Sequence, residues 1–384
     1  MNGLNLSEVS DIRLGSNTIN ALYYGSTLLW PLTPRDYSKE YLTIKSRDYG
    51  ETLTIIFIKN NTNISRSIQY SKDKINWTTI SFNTSDNPIK IELNPSENIY
   101  LKGTNSSYAE ASDSGLNYCN IRVYGNGIAD IYGNIMSLIY GDNFYGQTVL
   151  TSDNTFRYLF ASSRSGVDRI MEASNLILPA TTLTKSCYEY MFLNCGMLLD
   201  PPVLLPATTL ADSCYEGMFY NCASLVTAPV LPATTLARDC YRDMFNECEI
   251  LRDAPVLPAT TLSDGCYYSM FESCHKLTVA PVLPATTLAY DCYREMFYSC
   301  GLLTTAPELP ATTLPDGCYR EMFSNCTNIN YIKCLATNIH EPDSLTYWVK
   351  GVASTGTFIK NPNMTNWPTG TSGIPSGWTV QDAS

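Results

Sequence analysis

Cysteine is the residue type in this sequence that could most readily carry chemistry, since thiolates act as nucleophiles, bind metals and form disulfides. The chain has 14 cysteines. The two cysteines of each CYxxMFxxC motif lie eight residues apart. In a helix this is about 12 Å along the axis, which is too far for a disulfide. We therefore predict columns of reduced, buried thiols. Interlayer disulfides are the alternative, and zinc is less favoured because no CxxC pair is present. Twelve cysteines form two regular series: Cys187, Cys214, Cys240, Cys266, Cys292 and Cys318, and Cys195, Cys222, Cys248, Cys274, Cys300 and Cys326.

Histidines and acidic pairs are the other candidates for chemistry. A Ser-His or Cys-His nucleophile would need His275 or His340, the only two histidines. His275 occupies a repeat position that holds unrelated residues in other copies, which predicts a surface residue. Asp239 and Asp243 could mimic glycosidase acids, but they lie between apolar positions, where solvated charges are expected. No glycine-rich phosphate loop or metal-ligand spacing is present. The sequence therefore predicts a protein that is not an enzyme, with no catalytic, cofactor-binding or metal-binding residues.

A repeat array contains most of the cysteines. The hexapeptide LPATTL recurs with a spacing of 27 residues once and 26 residues four times, and CYxxMFxxC follows each copy. A fixed period in the twenties is typical of a solenoid, in which each layer buries its apolar face against its neighbours. The copies of LPATTL begin at Leu178, Leu205, Leu231, Leu257, Leu283 and Leu309.

Each repeat is predicted to contain one short helix and one short strand. Apolar residues in CYxxMFxxC fall at i, i+1, i+4, i+5 and i+8, which indicates a helix of about two to three turns. Asp212, Asp264 and Asp316 are the expected N-caps. The segment LxxAPxLPATTL suits a strand whose ladder ends at a proline such as Pro229. The array, residues 154–335, resembles the leucine-rich repeats of the bacterial surface-protein type, which implies a solenoid with one strand and one helix per 26-residue layer.

The flanking residues are expected to be β-rich. Residues 1–32 contain two short alternating segments with Gly-Ser turns. Residues 33–153 contain TLTIIFIKN, RSIQYS, WTTISF, IKIEL and NIYLKG, which predict a β-sandwich. A hairpin within it should place Trp77 in the core, the alternative being a ligand platform. Residues 336–384, rich in Gly, Pro, Ser and Thr, are predicted to form a C-terminal cap. The predicted fold class is therefore α+β.

Charge limits the range of partners. The chain has 25 Lys and Arg against 36 Asp and Glu, a formal net charge of −11. This balance argues against binding to nucleic acid or to an anionic membrane surface. No apolar run approaches 18 residues, and the start MNGLNLSEVSDIRLG lacks the basic and apolar regions of a signal peptide. We therefore expect no membrane insertion and folding in a cytosol.

Several segments carry a resemblance to a known group. Residues 1–32 resemble the short N-terminal segment of many phage virion proteins. GNIMSLIYGDNF at 133–144, the repeat array and the ending NYIKCLAT…STGTFIKNPNMTNW…GIPSGWTVQDA resemble virion-associated proteins of Bacteroides-infecting, crAss-like phages and related prophages. The resemblance covers nearly the whole chain.

This resemblance implies a structural virion protein of the tail or a fibre, made in the bacterial host cytoplasm and displayed on the particle exterior. Residues 1–32 would be an anchor that binds other virion proteins, and the solenoid would bind a receptor, a host cell-surface protein or glycan, during host attachment. Assembly as a homo-oligomer is compatible with this class, although no coiled-coil heptads appear. A bacterial surface adhesin and a polysaccharide-degrading tail enzyme are the alternative functions.

Variation between repeats indicates where a partner would bind. The core letters barely change, whereas two residues beside each strand differ from copy to copy, and solenoids use such surfaces for partners. Neutral drift on an exposed surface is the alternative explanation. The candidate partner-binding residues are Val226, Thr227, Arg252, Asp253, Thr278, Val279, Thr304, Thr305, Asn330 and Tyr331. A competing surface on the predicted helices comprises Tyr190, Glu216, Arg242, Tyr268, Arg294 and Arg320.

Overall fold

The chain folds into a β-solenoid of about 12 turns, which confirms the solenoid predicted from the repeats. The computed structural model describes residues 36–48, 50–60, 63–112, 115–163 and 168–384, together with four short strands between residues 13 and 30. The rest of the predicted anchor, residues 1–32, lies outside the described residues.

Regular structure is mostly β-strand. In chain order the strands are β1 (Arg13–Leu14), β2 (Asn17–Thr18), β3 (Leu22–Tyr24), β4 (Thr27–Trp30), β5 (Leu42–Ser46), β6 (Leu53–Lys59), β7 (Ser67–Ser71), β8 (Thr78–Ser81), β9 (Asn83–Thr84), β10 (Ile89–Leu93), β11 (Asn98–Lys102), β12 (Ala109–Ser112), β13 (Gly115–Gly125), β14 (Ala129–Asn134), β15 (Ile170–Glu172), β16 (Leu176–Ile177), β17 (Tyr331–Cys334), β18 (Thr357–Lys360) and β19 (Thr379–Asp382). The described residues also contain one short α-helix, α1 (Ser137–Tyr140), and the 3-10 helices Tyr37–Lys39 and Gly141–Asn143. None of these helices has the length and hydrophobicity to span a membrane.

Two sheets precede the repeats. One has the order β10-β6-β13-β12 with β9 beside β6, and the other has the order β15-β14-β5-β11-β7-β8 with β16 beside β14. The five strands expected between residues 53 and 102 are all present, and β7 and β8 form the predicted antiparallel hairpin. The short strands expected near the N-terminus are present as the antiparallel pairs β1–β2 and β3–β4.

A separate β-sandwich at residues 33–153 is not supported. Strand β14 pairs in parallel with β15 and β16, so the second sheet runs directly into the repeats. The buried apolar residues form one continuous cluster from Leu42 to Trp378. Within it, Tyr108 stacks on Phe156, which stacks on Tyr188 of the first full repeat. These sheets share their core with the solenoid.

The predicted α+β class is wrong because CYxxMFxxC is not helical. The first eight residues of each copy lie in a stretch without helix or strand, which we call a turn segment. Within a turn segment, backbone amides alternate between two kinds of acceptor. The Tyr268 amide donates to Gly265 O, three residues back, at 3.0 Å, whereas the neighbouring Tyr267 amide donates to Cys292 O of the next layer at 3.0 Å. The turn segments span residues 153–160, 185–194, 212–221, 238–247, 264–273, 290–299, 316–325 and 342–351.

Positive φ values recur every four residues in the turn segments, with the exception of Asp343. Gly265, Ser269 and Ser273 have φ values of 61°, 50° and 60°. An α-helix cannot contain such residues, because they adopt the left-handed conformation. The predicted N-caps serve the neighbouring layer instead. Asp264 Oδ1 accepts the Tyr290 amide at 3.2 Å, and Asp212 and Asp316 accept equivalent amides of the next layer.

Identical side chains stack on one another through the core. Phe245, Phe271 and Phe297 follow one another with ring centroids 5.6 and 5.7 Å apart and nearly parallel planes. The tyrosines of CYxxMFxxC form a second column that ends on Trp348. Each layer therefore covers the aromatic rings of the next, and burial of such large apolar surfaces is the main source of stability.

The strand side forms short parallel pairings between layers. Proline interrupts this ladder without ending it, contrary to the prediction, since Val230, directly after Pro229, pairs with Leu204. Residues 336–384 continue the stack, because β17, β18 and β19 pair in parallel.

Substitution of Glu321 by glycine or by alanine distinguishes the turn segment from a helix. Glu321 has a φ of 53°, where alanine should be less stable than glycine by about 1 kcal/mol. In a helix the order would reverse by about the same amount. We expect a higher unfolding midpoint for Glu321→Gly than for Glu321→Ala in thermal denaturation.

Arg320 provides the control, because its φ is not positive. There Arg320→Ala should be more stable than Arg320→Gly. If the alanine variant had the higher unfolding midpoint at both positions, the turn geometry would be contradicted.

Candidate functional site

The strands place the candidate partner-binding residues in two adjacent columns on one side of the solenoid, which we call the strand face. Asp253 pairs in parallel with Val279, and Thr305 with Tyr331. The candidates form five pairs of consecutive residues, and the first residue of each pair stacks between layers in the same way. The Val226 amide, for example, donates to Leu199 O of the preceding layer at 3.0 Å. All ten candidates are exposed except Val226, which is half-buried. The structure thus brings the predicted residues together.

A third column, which sequence reasoning missed, adds exposed aliphatic side chains to the strand face. Val256 and Val282 expose 78% and 79% of their surface, and Leu204 and Val230 about half. We call Leu204, Val230, Val256 and Val282 the aliphatic column. The sequence did contain a signal for it. In Pro-Val-Leu the proline and leucine are mostly buried, so strand alternation turns the valine between them outward.

Charged groups border the strand face at both ends. Beyond the aliphatic column, Lys333 Nζ lies 2.8 Å from Glu308 Oε1. At the other end, Asp200 and Glu172 lie side by side in a parallel β-bridge between two layers. Partial burial and the Glu172 carboxylate raise the pKa of Asp200. The aliphatic column is therefore flanked by charged groups at both ends and by polar candidates such as Asp253 at its side, and apolar surface with polar surroundings is common in protein interfaces.

The competing surface on the turn segments is largely occupied by its own contacts. The Tyr268 ring lies between the guanidinium groups of Arg242 and Arg294, 4.4 and 4.9 Å from the ring centroid. Arg242 Nε is 3.4 Å from Asp243 Oδ2, and Arg294 Nε is 3.0 Å from Glu295 Oε1. Charged groups that are already paired within the molecule contribute less to binding a partner than unpaired groups do.

Tyr190 does not share the column of the other competing residues. The Tyr188 and Tyr215 rings stack, so Glu189 is the equivalent of Glu216. Tyr190 lies one position further on, where φ is 52°. The equivalent residue of the first repeat is therefore Glu189, which is buried and adds nothing to that surface.

The thiols lie in the core. All 14 cysteines are free and buried. In the second series each sulfur donates to a phenylalanine carbonyl of the preceding layer, as Cys248 Sγ does to Phe219 O at 3.2 Å. Burial raises the pKa of the Cys240 thiol to about 12 and that of Cys222 well above its ordinary value. Neutral, inaccessible thiols are poor nucleophiles and poor metal ligands.

The remaining candidates for chemistry have structural environments. His275 is exposed, with Nδ1 3.2 Å from Ser299 O, so it lies apart from the buried thiols. His340 is also exposed. Asp239 and Asp243 both contact Arg242, at 3.8 and 3.4 Å, and burial raises the pKa of Asp243. Among the described residues, no group of three or more His, Cys, Asp or Glu side chains is arranged to hold a metal ion.

No protein-family model matches this sequence, and no curated protein or solved structure shows significant similarity to it.

Thiol labelling tests the placement of the cysteines. The folded, unreduced protein at pH 8 should not react with a thiol reagent such as Ellman's reagent, because every sulfur is buried and protonated. In denaturant all 14 cysteines should react. Fewer reactive thiols in the denatured, unreduced protein would mean that interlayer disulfides exist, and rapid labelling of the folded protein would contradict burial.

Proposed function

We propose that this chain is a non-enzymatic binding protein whose strand face attaches a phage particle to its host cell. The observation that carries the proposal is the aliphatic column, an exposed row of unpaired apolar side chains on an otherwise acidic molecule. Contiguous exposed apolar surface is unfavourable in water and commonly marks an interaction site. Its position beside the ten variable candidate residues supports one continuous recognition surface.

The partner that fits this face best is a host cell-surface protein. Aromatic rings and amide groups, which sugars usually require, occur on the strand face only at its last candidate pair, Asn330 and Tyr331, and not in the aliphatic column. Its side chains suit the apolar residues of a protein surface, with contacts to Asp253 and Thr305 at the edge. A glycan receptor is the alternative that the experiment distinguishes.

The virion setting rests on the sequence resemblance. Residues 1–32 would join the chain to other virion proteins, and the solenoid would project from the particle exterior. The repeats would belong to the leucine-rich class, which is consistent with the buried leucines Leu225, Leu231 and Leu251. Attachment of a bacterium by the same face, as a surface adhesin, is the nearest alternative.

The experiment measures binding of the fluorescently labelled full-length protein to a panel of Bacteroides strains. Val256→Lys combined with Val282→Lys should weaken cell binding about tenfold or more, since two ammonium groups would have to lose water in the interface. Tyr290→Lys combined with Tyr347→Lys is the matched control. It makes the same charge change at exposed residues of the turn segments and should leave binding unchanged.

Treatment of the cells distinguishes the receptor class. Protease should abolish binding to a protein receptor, whereas periodate should abolish binding to a glycan. Binding to none of the strains, or equal loss in both double variants, would overturn the strand-face proposal.

A further inference from the structure

A groove that shares no residue with the strand face crosses the outer surface of the sheet that contains β5, β7, β8 and β11. It lies between the β7–β8 hairpin and the segment 140–143 and encloses about 400 Å³. This volume is within the range of small-molecule sites. The strand face plays no part in it.

Polar side chains from three neighbouring strands form the floor of the groove. Lys102 of β11 lies opposite Gln69 of β7, which lies opposite Thr79 of β8. Gln69 Nε2 is 3.4 Å from Thr79 Oγ1, a weak hydrogen bond that leaves most of the capacity of both groups unused. Thr104 and Asn143 at the wall are exposed, and within the described chain their side chains make no hydrogen bond. The groove therefore presents amide and hydroxyl groups that can both donate and accept.

The charges in the groove cancel. Lys102, only 8% exposed, donates from Nζ to the two carboxylate oxygens of Asp142 at 2.7 and 3.0 Å. The Tyr41 hydroxyl donates to the same carboxylate at 2.7 Å. These hydrogen bonds lower the pKa of Asp142, and its carboxylate balances the charge of the Lys102 ammonium group. A neutral ligand fits this arrangement better than an anion, for which a free cation would be needed.

An aromatic side chain lies next to Lys102, although it is not itself among the residues that line the groove. Lys102 Nζ, which lines the groove, also lies 4.0 Å from the Trp77 ring centroid. Trp77 is half-buried and contacts the Tyr41 ring edge-on at a centroid distance of 5.0 Å, so it is not the core residue expected from the sequence. The aromatic residue that lines the groove itself is Tyr140, which is also half-buried.

We propose that this groove binds a neutral hexose unit of a glycan. A hexose carries hydroxyl groups that match the unpaired groups of Asn143 and Thr104 and the weakly bonded amide of Gln69. Its C–H face can pack against the aromatic residue of the lining, Tyr140. This site goes beyond the strand-face proposal, because it lies on another part of the chain and takes a different class of ligand.

Saturation-transfer NMR on the full-length protein tests the site. The probes are the methyl glycosides of glucose, galactose and mannose, and N-acetylglucosamine, each at millimolar concentration. At least one should receive magnetisation from the protein. Asn143→Ala and Gln69→Ala should each weaken its binding about tenfold, the effect of one lost hydrogen bond to a ligand.

Two controls make the result specific. Asn328→Ala alters an exposed asparagine of the solenoid and should leave sugar binding unchanged. Glucose 6-phosphate should bind no better than neutral glucose. The proposal is overturned if none of the four sugars binds, if binding survives unchanged in both groove variants, or if the phosphorylated sugar binds more tightly. The Val256→Lys, Val282→Lys protein should still bind the sugar, so failure here and failure of the strand face give separate results.

Discussion

The alternating hydrogen bonds of the turn segments are the interaction on which the rest of the structure depends. One amide donates within its own turn, and the next donates to the layer beyond, as Tyr268 and Tyr267 do. A single repeat would leave half of these donors unpaired, and an unpaired buried amide costs free energy. Repeats can therefore be stable only when they are stacked, which accounts for the array of near-identical copies.

This backbone arrangement also determines which side chains the repeat can contain. Residues at the same position in successive layers lie on top of one another, so the core accepts only side chains that stack on copies of themselves. Flat rings such as Phe271 and small groups such as the thiol of Cys274 do so. Outward positions have no such constraint. Repetition in the core and variation on the strand face thus have one cause, which leaves a surface free to acquire a binding function.

Much of this architecture could be predicted from the sequence, but the form of the repeat could not. The period of 26 residues predicted the stack, and alternation predicted strands such as β6 and β11. CYxxMFxxC was misassigned because nine residues are too few to separate a period of 4 from the helical period of 3.6. A better signal lay in residues such as Gly265 and Ser273, since Gly, Ser, Asn and Asp dominate several of the positive-φ positions. Trp77 was placed in the core because local alternation does not show what covers the outer face of a sheet.

The candidate surfaces also differ in whether the sequence predicts them. The column of Asp253 and Val279 was predicted because its residues vary, whereas the aliphatic column was missed because its valines repeat like core residues. The groove beside Lys102 depends on the β7–β8 hairpin, β11 and the segment 140–143, which are separated in sequence, and no local pattern indicates it. Both surfaces rest on the layered backbone described above. That backbone is tested most directly by scalar coupling across hydrogen bonds in the deuterated protein, observed from the Tyr267 amide. Our account predicts a coupling to the carbonyl carbon of Cys292 in the next layer, whereas a coupling to Ser263, four residues back as in an α-helix, would contradict it.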